Sequence, residues 1–581
     1  MSRAGRAASV AEAVGETLVR LGARTVFGVV GSGNFHVTNA LVAAGARFVA
    51  ARHEAGAATM ADAYARVSGE LGVVSLHQGP GLTNAVTGIA EAAKSRTPLL
   101  VVAGETAAAA VRSNFRVDQA AIAAAVGAVP ERVHSPRTAL ADVARACRTA
   151  VAERRTVLLG LPLDIQEAEH PDAEHPDAGH PDAGHPDAGQ DPPPARGGPR
   201  IPPLPVPPPD AVARLADLLQ AAARPVFIAG RGARLAGARE PLLELAARCG
   251  ALPATSAVAR GLFAGDPFAL DVSGGFATPA AAELIAGADL VVGWGCSLNM
   301  WTTRHGALIG GDARVVQVDV DARALGAHRP VDLGLIGDAA ETARAAAAEL
   351  EARGHSATGY RTEEVADRLA REGRWQDVPY EEHPPGEDDG GPRIDPRTLT
   401  IALDRMLPRE RTVAVDSGNF MGYPAMFLEV PDDDAFVFTQ AFQSVGLGLA
   451  TAIGAAVARP DRLTVAALGD GGALMSVAEL ETAVRLGLGL LVVVYDDEAY
   501  GAEVHHFGPG GHPLDTVTFP PADLAAIGRG FGCAAATVRR REDLDAVAAW
   551  LAGPRDRPMV VDAKVTRDRP AWWLEEAFRG H

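Results

Sequence analysis

GDGGALMSVAELETAVRLGLGLLVVVYDDEAYG, residues 469–501, decides how the rest of the chain is read. The Gly469-Asp470-Gly471 turn follows the apolar run Leu463–Leu468, which predicts a buried strand entering a phosphate-binding loop. Beyond it Leu474, Val477, Leu480, Ala483 and Val484 recur at three and four residues, the spacing of one helix face. A second apolar run, Leu488–Tyr495, predicts another buried strand and ends in Asp496-Asp497. Strand, one crossover helix and strand make a parallel unit, so Asp470 and Asp497 leave two strands at their carboxyl ends. Two hard oxygen ligands beside a helix N-terminus suit Mg²⁺ holding a diphosphate, with backbone N–H groups and the helix dipole serving the phosphates. The residues alone also allow an ordinary βαβ unit with an acidic turn.

With 581 residues the chain has room for three or four domains. Its 48% hydrophobic content supports sizeable cores, and a formal net charge of −18 argues against nucleic acid or an anionic membrane as partner. No terminal segment has a signal-peptide pattern and no apolar run approaches membrane-spanning length, so a cytoplasmic protein is expected. Cys147, Cys249, Cys296 and Cys533 are scattered without CxxC spacing, which indicates neither a disulfide framework nor a zinc site.

Low-complexity sequence divides the chain. HPDAE and HPDAG units repeat over residues 169–189, and Pro-rich sequence follows to Pro209. His170, His175, His180 and His185 are potential metal ligands, but a proline every fifth residue prevents the helix that would align them. Residues 166–209 therefore read as a solvated linker, and residues 351–396, ending in the polar Glu381–Pro396, as another. Between them, segments 1–165, 210–350 and 397–566 each alternate helical patterns with short Val/Ile/Leu runs, leaving 567–581 as a tail. The expected fold is α/β: three doubly wound domains with parallel sheets and ligands at the strand carboxyl ends.

The first segment has its own polar constellation. Arg52-His53-Glu54-Ala55-Gly56-Ala57 opens a helix after the run Phe48–Ala51, and Leu76-His77-Gln78-Gly79-Pro80-Gly81-Leu82-Thr83-Asn84 makes a Gly-Pro-Gly turn into another. A glutamate in a first turn is also what a helix dipole favours, worth under about 1 kcal/mol at a surface.

Taken together, GDG followed some thirty residues later by a polar pair, and the HEAGA…ADAYAR and GPG blocks upstream, resemble the thiamine-diphosphate-dependent superfamily of acetohydroxyacid synthase, benzaldehyde lyase and benzoylformate decarboxylase. The resemblance spans the whole chain and implies pyrimidine-binding, middle and diphosphate-binding domains in that order. It implies Mg²⁺ bound by the side chains of Asp470 and Asp497 and the backbone carbonyl of Ala499, with Gly469, Gly471, Gly472 and Tyr500 at the diphosphate. The pair is Asp-Asp here where Asn-Asn is usual, which adds negative charge at the metal. Glu54 is implied to hydrogen-bond a nitrogen of the cofactor's aminopyrimidine and promote its imino tautomer, beside Gly79, Gly81 and Asn84. Asp416-Ser417-Gly418-Asn419-Phe420, which follows a strand, would line the pyrimidine pocket.

Other positions keep two readings. Val445 matches the apolar wedge that bends the cofactor, or packs a helix. His77 resembles the benzoylformate decarboxylase histidine that relays protons, or is hydrogen-bonded into its loop. His505 and His506 lie on the segment that would cover the substrate, and neighbours on one element point different ways. Phe115-Arg116 falls where relatives carry Phe-Gln, so Arg116 would select an anionic substrate group. In the middle domain, Gly295–Trp301 has no arginine before Arg304, so the resemblance does not carry FAD over and a nucleotide-free domain stands beside it.

The expected activity is decarboxylation of a 2-oxo acid with carboligation to a carbonyl acceptor, as in acetolactate synthesis. The alternative is non-oxidative decarboxylation or C–C lysis releasing an aldehyde; a non-catalytic paralogue is the rival from another class. Because pyrimidine and diphosphate sites lie on different domains, the family pairs them across subunits, which implies a homodimer or homotetramer.

Overall fold

The computed structural model describes residues 8–171, 204–382, 387–388, 391–574 and 579. Apolar runs become strands of three parallel sheets, each flanked by helices. The first contains β1 (Thr25–Gly28), β2 (Arg47–Ala50), β3 (Gly72–Leu76), β4 (Leu99–Glu105), β5 (Val129–Arg132) and β6 (Thr156–Pro162), in the order β2-β1-β3-β4-β6-β5. The middle sheet contains β7 (Pro225–Ala229), β8 (Leu252–Thr255), β9 (Leu290–Trp294), β10 (Arg314–Asp319) and β11 (Leu333–Ile336), ordered β11-β10-β9-β7-β8. A two-residue antiparallel pair, β12 (Glu387–Asp388) and β13 (Gly391–Pro392), precedes the third. That sheet contains β14 (Arg411–Val415), β15 (Phe436–Phe438), β16 (Leu463–Gly469), β17 (Leu491–Asp496), β18 (Ala534–Val538) and β19 (Met559–Lys564), ordered β15-β14-β16-β17-β19-β18.

First and third sheets thus share one strand permutation. In each, the order reverses between the first and third strands of the domain, and a crevice opens at their carboxyl ends. In the third sheet β14 and β16 deliver Asp416–Asn419 and Gly469–Gly472 to that crevice. In the first, β1 and β3 deliver Gly31–Gly33 and His77–Gly81. The two domains also share a core: helix Glu54–Ser68 lies against helix Gly448–Ala458, and Met60, Leu449 and Ile453 belong to one buried cluster. Gly454 is the closest approach, where a Cβ would sit 2.8 Å from the Met60 Cα.

Four expectations need correction. The crossover after Gly471 is two helices, Asp470–Met475 and Glu479–Arg485, because Ser476 turns its hydroxyl back to the Gly472 carbonyl and the ladder stops. Val477, Leu480, Ala483 and Val484 face the core, whereas Leu474 is 42% exposed and belongs to the crevice. Residues 163–170 are part of the first domain: Gln166 is buried and donates to the Gly33 and Leu161 carbonyls, Val10 N–H donates to Ala168, and His170 N–H to Ala8. His170 is buried there, while His175, His180 and His185 lie outside the described residues. Within 351–396 a helix, Glu363–Glu372, buries Leu369 against Leu284 and Ile285 of the middle domain. The tail begins as packed structure too, since Trp573 is buried edge-on to Tyr423 with ring centroids 4.6 Å apart.

Candidate active site

Strand β16 ends at Gly469, and Asp470 opens the following helix with its side chain only 8% exposed. Asp497 follows the end of β17 and is buried to the same degree. Burial, then the neighbouring Asp497 and Asp496 carboxylates, push Asp470 up to about 8. Burial pushes Asp497 up to about 6, against the 3.2 Å hydrogen bond that Asn419 Nδ2 donates to it. Buried carboxylates facing each other call for a cation. The surrounding glycines allow close packing: a Cβ on Gly471 would sit 2.8 Å from the Tyr500 ring, and one on Gly501 would collide with Asp497 and Asn419. Among the described residues Asn419 Oδ1 is buried without a hydrogen-bond partner. A cavity of about 350 Å³ adjoins, lined by Asp470, Gly471, Leu474, Met475, Tyr500 and Phe519 among others.

Three consecutive acids leave β17 for three destinations. Asp496 turns inward to Lys564 at 2.5 Å, Asp497 faces Asp470, and Glu498, in left-handed backbone at φ +58°, takes Arg393 at 2.6 Å and Arg567 at 2.5 Å. Glu498 and Tyr500 then bond the strand-like segment at Val517–Phe519, so Ala499 is the residue whose carbonyl points away from that bridge. Among the described residues no three His, Cys, Asp or Glu side chains converge on a metal position. Two carboxylates and the Ala499 carbonyl would serve as protein donors, with coordination left for phosphate oxygens; the residues fit a Mg²⁺-diphosphate.

Asp416, buried at the end of β14, organises the rest of this crevice. It accepts N–H groups from Ser417 at 2.8 Å, Gly446 at 3.0 Å and Leu447 at 3.2 Å, and burial pushes its carboxyl up to about 6. Gly446 needs its φ of +92° to make the turn. Val445 therefore projects from a loop ahead of helix Gly448–Ala458, 38% exposed, and would lie 3.3 Å from a Cβ on Gly472 of helix Asp470–Met475. Ser417, Gly418 and Asn419 follow on the same side, with Gly418 at φ +147°.

At the crevice of the first domain, Glu54 is the first residue of helix Glu54–Ser68, capped by His53, whose Nδ1 accepts the Ala55 N–H at 3.1 Å. Asn84 Nδ2 donates to Glu54 at 3.0 Å. A Cβ on Gly81 would lie 3.7 Å from Glu54 Oε1 and 3.0 Å from His77 Cβ, so Glu54, His77, Gly81 and Asn84 form one group. Gly79, at φ +61°, donates its N–H to the buried Gln119, and the Phe115 backbone crosses it too closely for any side chain. His77 Nδ1 lies 2.7 Å from the Gln78 carbonyl and Nε2 3.4 Å from Ser32 Oγ, with the Phe115 ring edge-on at 5.1 Å. Arg116 lies next along this loop and is exposed. His505 and His506 lie on helix Gly501–Phe507, where burial lowers His505 from its ordinary value.

Ser32 and two interdomain glutamates, Glu91 and Glu479, were not legible as site residues. For Ser32 the signal existed: Gly31-Ser32-Gly33 follows the apolar run Thr25–Val30, as a ligand loop would. The others act on distant backbone N–H groups, which leave no local pattern.

In the middle domain Gly230 and Gly232 pack directly on Gly295, and Gly232 N–H donates to its carbonyl at 2.9 Å. Arg304 is engaged with the Gly274 and Ala277 carbonyls and lies over the Trp572 ring. Within one chain Glu54 belongs with His77 and Asn84, and Asp470 with Asp497 and Asn419: two clusters, one on each domain. Among the described residues no helix is long and apolar enough to cross a membrane.

Comparisons with known proteins agree with this layout. Residues 8–125 match the N-terminal TPP-binding domain of thiamine pyrophosphate enzymes, 212–346 the central domain and 416–563 the C-terminal TPP-binding domain. A probable 2-ketoarginine decarboxylase of Pseudomonas aeruginosa is 31% identical over 91% of this chain and 90% of its own. A sulfoacetaldehyde acetyltransferase of Alcaligenes xylosoxydans xylosoxydans is 31% identical over 85% and 81%, and an acetolactate synthase large subunit of Parasynechococcus marenigrum 28% over 96% and 88%. With all three domain models matched in order and a ligand crevice at the switch point of each outer sheet, the chain belongs to the thiamine pyrophosphate enzyme family.

Proposed function

We propose that this enzyme uses thiamine diphosphate and Mg²⁺ to decarboxylate a 2-oxo acid and join the resulting acyl unit to a carbonyl acceptor. The cofactor, when bound, supplies the electron sink that decarboxylation needs. Asp470, Asp497 and the Ala499 carbonyl would hold the metal, Asn419 and Tyr500 would border the diphosphate, and Glu54 would hold and move a proton at the pyrimidine ring. The observation that carries carboligation is the cavity of about 350 Å³ beyond Asp470, whose apolar Leu474, Met475 and Phe519 lining gives a second carbonyl room. The acetolactate synthase and sulfoacetaldehyde acetyltransferase relatives support the same outcome by their names.

One observation favours aldehyde release instead. His77 Nε2 makes a long 3.4 Å contact with Ser32 Oγ beside Glu54 in the crevice, and there it is positioned to deliver a proton. Incubation with pyruvate and with aromatic 2-oxo acids, each with and without an aldehyde acceptor, separates the two. Carboligation predicts acyloin or acetohydroxy acid; aldehyde alone with every pair, lost in His77→Ala, would establish the second reading and overturn the first.

The reading also requires a partner chain. Glu54 and Asp470 sit in separate clusters, and apolar side chains rim both, Phe115 and Val111 on one and Met475 and Leu474 on the other, all exposed in the single chain. A homodimer or homotetramer would bring a first-domain cluster onto a third-domain cluster and cover these side chains.

A further inference from the structure

Two carboxylates that the proposed chemistry does not use lie between the first and third domains. Glu479, 2% exposed, opens helix Glu479–Arg485. Its Oε1 accepts the N–H groups of Arg52 and His53, each at 3.0 Å, and its Oε2 the Thr482 hydroxyl at 2.7 Å. Those two N–H groups immediately precede Glu54. Gly56, one residue pair further on, is so close that a Cβ would lie 2.5 Å from the same oxygen. Glu91, fully buried on helix Pro80–Lys94, accepts the N–H groups of Ala441 at 3.3 Å and Phe442 at 2.7 Å, with Arg66 3.7 Å away. Ala441 and Phe442 lead into the loop that carries Val445.

The two contacts correspond. Each glutamate lies after the third strand of its own domain, and each grips the other domain between its second strand and the next helix: Arg52-His53 between β2 and helix Glu54–Ser68, Ala441-Phe442 between β15 and helix Gly448–Ala458. A buried carboxylate is unfavourable unless its lone pairs are met, so a contact needed only for packing would carry an apolar side chain. Converging N–H groups on one anion instead fix the direction of the backbone that bears them.

We propose that Glu479 and Glu91 are reciprocal positioning residues: the diphosphate-binding domain sets the start of the helix bearing Glu54, and the pyrimidine-binding domain sets the loop bearing Val445. The consequence for Glu54 and Val445 rests on the cofactor reading above. On that reading Glu54 and Val445 of one chain serve two different cofactors, so the pair couples the two sites through each chain.

Amide hydrogen exchange on the cofactor-free protein tests the positioning by itself. Glu479→Ala should raise exchange over residues 52–57 by at least about tenfold while helix Ala139–Ala152 stays protected. Glu479→Gln keeps the accepting oxygen, can donate to Thr482, and should remain near the parent. Glu91→Ala should do the same to residues 441–447. With cofactor bound, deuteration of its acidic carbon should slow about tenfold in Glu479→Ala and recover in Glu479→Gln. Should the alanine variant not fold, Glu479→Asp, one methylene short, serves in its place. Unchanged exchange at 52–57, or a uniform loss of protection across both domains, overturns the proposal. Local deprotection without slower deuteration would overturn the link to Glu54 alone, and a protein that binds no cofactor still gives the amide result.

Discussion

Asp497 stands where the thiamine-diphosphate signature usually has an amide, and its buried carboxylate faces Asp470 across the crevice. Burial raises both groups, and the neighbouring Asp497 and Asp496 carboxylates add to the rise at Asp470. Asp497→Asn would keep the shape and remove one charge, so Mg²⁺ should bind about tenfold more weakly. Calorimetric titration of the cofactor-free protein checks this; superimposable isotherms would make the extra charge silent. At this scale the sequence was informative where a residue type carried its own chemistry in a turn. Glu54, His77, Gly81 and Asn84 come together as a group, and so do Asp470, Asp497 and Asn419. Glu91 and Glu479 were illegible because a carboxylate bonded to remote N–H groups looks, in sequence, like any helix acid.

The elements hold two further tests. Helices Glu54–Ser68 and Gly448–Ala458 touch backbone to backbone at Gly454. Alanine ordinarily favours a helix over glycine by about 1 kcal/mol. Here collision with Met60 should reverse the sign and destabilise by about 3 kcal/mol, read as a lower urea midpoint for Gly454→Ala. Between the first and middle domains, Arg323 and Arg96 hold the Asp321 carboxyl well below the usual carboxylate range, and the Arg96–Asp321 pair is 2.5 Å long. A depressed folded-state value means stability present above the unfolded value and lost as pH falls through the folded one. Since Arg96 is partly exposed, Asp321→Asn should lose under about 1 kcal/mol at pH 7, and the gap to the parent should begin to narrow below about pH 4 and keep narrowing toward the lower folded value. Thermal midpoints across pH 2–7 measure it; a gap of the same size at pH 2 as at pH 7 would refute the assignment. Element boundaries were read less well than element types. The break at Ser476 depends on a hydroxyl turning back, which hydrophobic spacing does not register.

For the whole molecule, the alternation of apolar runs and helical patterns was enough to give three α/β domains, since buried parallel strands read as continuous hydrophobic runs. Linker edges were set too wide because composition marks where a core stops being apolar, not where the backbone stops bonding: Ala168 and His170 still bond the first domain. The composite site gives the sharpest global test. Glu54→Gln and Asp470→Ala chains should each be nearly inactive, yet hybrids formed by co-expression should recover about a quarter of parental activity, one intact site in half of the dimers. No recovery would place both clusters' partners within one chain.

The shared strand permutation of the outer sheets has a historical meaning. The chain reads as one ancestral domain copied and kept: matching strands, matching glutamates after the third strand, matching helices laid against each other. What diverged is the turn at the switch point, Gly79-Pro80-Gly81 in one copy and Gly469-Asp470-Gly471 in the other. A descent from a self-associating single domain would explain why each half still grips its sibling's backbone, and why the labour of holding a ring and holding a phosphate was divided between duplicates.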